Sequence, residues 1–250
     1  MKKEHKILLM ELRKWVAVWL MSFVGLFAVS YNFRNAIYSI ITRPIENMRI
    51  SENVFIYTNI WESFLTDLSL ACNTAFIVSF PILLFCAYKF ISPSLYKNEK
   101  KMLATLLILG VVLAIIAISV LYFLILPRAI DFLISQSNNI SKPMFRISEY
   151  VLTFFHLIIG FVVVFQIPLV LFGLAKLGIM STNFMSKYRK IAIVIIFIIA
   201  ALITPPDVPS QLICASILIV IYELTNFAIK VLVGKNQAKT IKKKRIKEMK

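Results

Sequence analysis

Residues Met102–Leu126 read MLATLLILGVVLAIIAISVLYFLIL, 25 residues without one charged side chain. As a helix the run rises about 37 Å at ~1.5 Å per residue, enough to cross the roughly 30 Å hydrocarbon core of a bilayer. Its apolar residues do not alternate with polar ones, which argues for a helix over a barrel strand. Lys100 and Lys101 stand before it, Pro127 and Arg128 after it. Outward from there the same criterion marks 15–31, 68–88, 150–172 and 212–229, and more narrowly 191–203. The expectation is an all-α membrane protein of six transmembrane helices. They form one polytopic domain over 1–250, with a basic tail at 230–250.

Composition points the same way. The chain is 60% apolar, against about 45–50% for a soluble domain. Its mean hydropathy is +0.84. An ordinary soluble enzyme of this make-up would have nowhere to put its surface. The formal net charge is +16. A nucleic-acid partner is nevertheless not expected, because the cations sit in the gaps between apolar runs rather than along one folded face.

Those cations orient the chain. Of the 28 Lys and Arg, 22 fall in segments 1–14, 89–101, 173–190 and 230–250, and six in 32–66, 128–148 and 204–211. By the excess of positive charge in cytoplasmic loops, both termini are cytoplasmic. The fifth run is the exception to a simple count. Its 13 residues rise about 20 Å, well short of the hydrocarbon thickness. It forms a short hairpin with the sixth, joined by Thr204-Pro-Pro-Asp-Val-Pro-Ser-Gln211. Either the bilayer thins around it or the hairpin is re-entrant. Both arrangements leave the flanking basic segments on one side.

Polar residues inside apolar runs cost free energy and need partners. Gln166 lies two residues before Pro168, whose missing N–H frees a backbone carbonyl. The amide either serves that backbone or meets another membrane helix. Glu223 follows Tyr222 in the sixth run and calls for a partner on another helix. No nucleotide-binding loop, nucleophile elbow, metal-ligand pair or Cys/His cluster is present in the sequence, so neither an enzyme nor a cofactor is expected.

Two carboxylates stand out on the basic side, Glu11 in Met10-Glu-Leu-Arg-Lys14 and Glu99 in Phe90-Ile-Ser-Pro-Ser-Leu-Tyr-Lys-Asn-Glu99. One reading is that each offsets a neighbouring cation, Glu11 with Lys14 for instance. Alternatively they form a receptor for a cationic peptide, since carboxylates partly shielded from water take bidentate bonds from arginine. Surrounding lysines would reject loosely basic chains.

These motifs resemble the TatC family, the receptor and core subunit of the twin-arginine protein translocase. The resemblance rests on Glu11-Leu12-Arg13, Arg43-Pro44, the Phe90–Glu99 stretch, Phe165-Gln-Ile-Pro168, Thr204-Pro-Pro-Asp207, Ser210-Gln211 and Tyr222-Glu223. Many members of the family carry Glu where this chain has Gln166. The resemblance implies that Glu11 and Glu99 hold the paired arginines of a cargo signal peptide, with Arg13 and Phe90 shaping the site. It implies that single-span subunits of the TatA and TatB kind dock at the fifth and sixth helices, near Thr204 and Gln211. Pro44 stiffens an outer cap. Asp207 either caps the sixth helix or serves assembly. Export of folded cargo would draw on the proton-motive force, from an inner (cytoplasmic) or an organellar membrane. Anionic lipids and further copies of the chain are the remaining partners. Local thinning around a spanning fifth helix suits this reading, because short partner helices would meet a membrane already thin. The competing class is an ion-coupled small-solute permease. It would want converging ionisable groups near the midplane and an internal repeat.

Overall fold

The computed structural model describes residues 2–46, 55–135, 145–181, 183–204 and 208–233. The protein is an all-α membrane protein. Among the described residues, five helices are long and apolar enough to cross a membrane. The chain packs as two compact units, 1–162 and 163–250.

In the first unit α1 runs Lys2–Asn32, a short α2 Arg34–Glu46, and α3 Ile60–Ile91. A 3₁₀ turn, Ser92–Ser94, leads into α4, Lys97–Val120, which passes through a π-helical turn at Leu121–Ile125 into α5, Leu126–Ser135. Two-residue strands, β1 (Phe55–Ile56) and β2 (Phe145–Arg146), pair in parallel before α6, Ile147–Lys176, which continues into the second unit. There α7 (Phe184–Lys187), α8 (Arg189–Ile203) and α9 (Val208–Ala228) follow. At 15 residues α8 rises about 22 Å, so it is a sixth apolar helix shorter than the bilayer core.

The helices outrun the apolar runs that announce them. Transmembrane helices keep their backbone bonds internal whatever the side chains at their ends, so helix continues into the polar interface. α3 begins eight residues before Leu68 because Glu62 at its third position accepts the Asn59 N–H at 3.2 Å, which satisfies an orphan donor of the first turn. The π turn of α4 also has a local cause. Pro127 has no N–H to give the Phe123 carbonyl, and just before it Leu126 N–H bonds Leu121 O, five residues back.

Packing in the first unit uses small residues. Ala71, Ala75 and Ser79 lie four apart on one face of α3 and are fully buried, which lets a neighbouring backbone come close. The Trp19 indole on α1 donates to Ser79 Oγ at 3.3 Å on that face. Large side chains fill the α6 side, with Phe154, Phe155 and Phe161 all buried. In the second unit Ala175, Met185, Tyr222 and Ile229 make a buried cluster that ties α6, α7 and α9 together.

Candidate functional site

The register of α1 against α3 locates the basic-side carboxylates. Trp19 meets Ser79, and just past the far end of α1 Arg34, the first residue of α2, places its Nε 3.3 Å from Asp67 Oδ2. One contact moves up the chain as the other moves down, so the helices are antiparallel. Roughly eight residues before Trp19, about 12 Å along the axis, Glu11 comes level with the last turn of α3. Phe90 sits in that turn, half-buried. Beyond the 3₁₀ turn, where Leu95 N–H bonds Ser92 O at 3.3 Å, Glu99 opens α4. Arg13 is exposed two residues along α1 from Glu11. The four residues therefore occupy one end of the first unit, and it is the lysine-rich end.

Glu99 has a structural task there. Its Oε2 accepts the Tyr96 backbone N–H at 3.0 Å, and its charge lies at the positive end of the α4 dipole. One oxygen is committed to the helix terminus. Tyr96 itself is 81% exposed beside it. Among the described residues no hydrogen bond or ion pair joins any two of Glu11, Arg13, Phe90 and Glu99, and none joins Glu11 to Lys14. The Lys14 ammonium lies over the Trp15 ring, 5.7 Å from its centre.

The α8–α9 hairpin satisfies its own polar groups. Thr204 is buried and donates to Ala200 O at 2.9 Å, closing the last turn of α8. Gln211 Nε2 reaches across from α9 to Phe197 O at 3.4 Å. At the other end Glu223 pairs with Arg189 at 2.6 Å, Tyr222 Oη donates to Met185 O at 2.6 Å, and Ser186 Oγ donates to Asn226 Oδ1 at 3.0 Å. Glu223 thus has its partner on α8. Left over is the outward face of α8, where Ile191, Val194, Ile195, Ile198 and Leu202 are exposed. Gln166 is half-buried on α6, with Pro168 buried below it. Asp207, Pro205, Pro206 and the tail beyond residue 233 lie outside the described residues.

At the loop end, sequence reasoning missed the most heavily bonded carboxylate among the described residues. Glu62 is 6% exposed. Its Oε2 accepts from Thr58 N–H at 2.6 Å, Thr58 Oγ1–H at 2.8 Å and Asn59 N–H. Its Oε1 accepts from Ser148 Oγ–H and from Arg146 Nε–H at 3.1 Å. Arg146 also reaches Glu149 at 2.9 Å, and the Glu62 bond raises its guanidinium pKa further. These contacts join the segment before α3 to the segment before α6. The Asn59-x-x-Glu62 spacing, a capping-box signature, was the available signal. Pro44 is buried in α2 near this end, and the Tyr122 and Tyr150 phenols bond carbonyls just before it, at Ile40 and Ile41.

Comparison with known proteins bears on the family and the fold. A family model described as TatC, Sec-independent protein translocase protein, matches residues 7–216. The chain is 38% identical over 208 residues to the Sec-independent protein translocase protein TatC of Rickettsia prowazekii, covering 81% of this chain and 82% of that one. It is 31% identical over 220 residues to the TatC of Carboxydothermus hydrogenoformans, covering 88% and 89%. A crystal structure of the twin arginine translocase receptor TatC superposes with a TM-score of 0.76 at 28% identity, covering 90% of this chain and 98% of that one.

Proposed function

Because this chain belongs to the TatC family of Sec-independent protein translocase proteins, we propose that it is the twin-arginine signal-peptide receptor of such a translocase. Its role is transport and not catalysis. The lysine-rich end faces the cytoplasm, and both termini lie there. Glu11 and Glu99 grip the paired arginines of the signal, while Arg13 and Phe90 shape the entrance. The apolar part of the signal then lies along the inner face of α3, α4 and α6. Partner subunits with single short helices, of the TatA and TatB kind, dock on the exposed apolar face of α8. Thr204 and Gln211 act there by holding the hairpin in shape, since both are spent on α8 carbonyls. Folded cargo is exported at the expense of the proton-motive force, from an inner membrane whose anionic lipids meet the basic loops. Several copies act together in the complex.

The observation that carries this reading is the antiparallel register of α1 and α3, which supports bringing Glu11 level with the last turn of α3, which bears Phe90 and leads through the 3₁₀ turn to Glu99. The test is binding of a synthetic signal peptide to the purified protein. Arg-Arg should bind more tightly than Lys-Lys, because only a guanidinium offers two parallel donors. Glu99→Gln keeps an oxygen for the Tyr96 N–H but removes the charge. A hydrogen bond to a charged group is worth about 1.5–3 kcal/mol, so the variant should bind roughly ten- to a hundredfold more weakly. Equal binding by both peptides, or undiminished binding by Glu99→Gln, would refute the assignment.

A further inference from the structure

The Tyr122 bond at the loop end follows from two prolines, and a Tyr150 bond stands beside it. Pro44 sits inside α2 and has no N–H, so the Ile40 carbonyl four residues back loses its helical donor. That carbonyl accepts the Tyr122 phenol at 2.7 Å. One residue on, the Ile41 carbonyl accepts the Tyr150 phenol at 2.8 Å. Tyr122 itself lies in the π turn that precedes Pro127, so the second proline sets the direction in which it leaves α4. Phe154 packs on both rings, edge-on to Tyr122 at 6.5 Å and tilted on Tyr150 at 6.3 Å between centres. The two phenols are thus held in place before they meet α2.

Beneath α2 is an apolar groove of about 320 Å³. Ile37, Ile40 and Ile41 roof it, and Ile77, Phe154 and Ile158 are among its other walls. We infer that Tyr122 and Tyr150 are positioning residues: by clasping α2 through the carbonyls at Ile40 and Ile41, they hold it as the roof of this groove. The functional consequence rests on the receptor reading above. If the apolar part of a signal peptide lies along α3, α4 and α6, the clasped helix closes its path at the loop end, and the phenols set how firmly.

The experiment is hydrogen exchange on the full chain in lipid nanodiscs, comparing wild type with Tyr122→Phe, Tyr150→Phe and the double variant. Each keeps the ring and loses only the hydroxyl. Exchange of α2 amides should quicken by roughly tenfold in the double variant, with α1 and α3 protection unchanged as the control for folding. Pro44→Ala restores a donor for the Ile40 carbonyl, so Tyr122→Phe should have a smaller effect in that background. Unchanged α2 exchange in the double variant overturns the clasp. An equal Tyr122→Phe effect with and without Pro44 overturns the part given to the proline. In export assays the double variant should transport cargo more slowly. Normal export despite loosened α2 would overturn the functional consequence alone. Failure of the wild-type protein to prefer the Arg-Arg peptide would instead strike the receptor reading and leave the exchange result standing.

Discussion

Side chains with the same charge hold quite different positions in this protein. Glu62 is buried and accepts five hydrogen bonds, one from a guanidinium. Glu99 accepts one backbone N–H. Loss of charge at Glu62 strands the donors around it, and breaking a buried ionic network is costly. Glu62→Gln should therefore lower the denaturation midpoint clearly, read by denaturant titration in detergent. Arg146→Gln should cost less, because the Arg146 side chain is 38% exposed and water replaces part of what is lost. The reverse order would mean that Arg146, and not Glu62, organises the loop end. Signal-peptide binding should survive both changes, since neither residue lies at the lysine-rich end. The pairings of Glu62 with Arg146 and Ser148 were not legible beforehand. A carboxylate in a sequence declares its charge but not its partners, and Arg146 is 84 residues from Glu62.

Among the helices, α8 is the one whose length matters most. It has 15 residues, and its first two are Arg189 and Lys190, whose cationic ends reach toward the interface. A helix rising about 22 Å must thin the surrounding membrane if it spans. A cysteine at Val208, which is exposed at the start of α9, reports on this. In a background with Cys72, Cys86 and Cys214 replaced by Ala, a membrane-impermeant maleimide should label it from the non-cytoplasmic side of intact cells. Labelling only after the membrane is opened would show a re-entrant hairpin. The short length was readable from the sequence, because a break in hydropathy is a local property. The starting points of α3 and the π turn in α4 were not read, although Asn59, Glu62 and Pro127 carry their causes.

Over the whole molecule, the charge asymmetry makes a topological prediction. A fluorescent-protein fusion after Val233 should glow in the cytoplasm, and an alkaline phosphatase inserted in 136–144 should be active on the other side. Opposite activities would invert the proposed orientation and take the site assignment with it. Apolar runs, charge bias and family membership were all within reach of the sequence alone, because hydropathy, Lys/Arg density and motif spacing are summed over neighbours in the chain. The tertiary structure alone decided which polar groups meet. It set Glu62 against Arg146 and Ser148, Glu223 against Arg189, and the phenols of Tyr122 and Tyr150 against carbonyls 82 and 109 residues away. In an apolar surrounding such groups must be satisfied, but many partners would serve, and only the packing of helices selects among them.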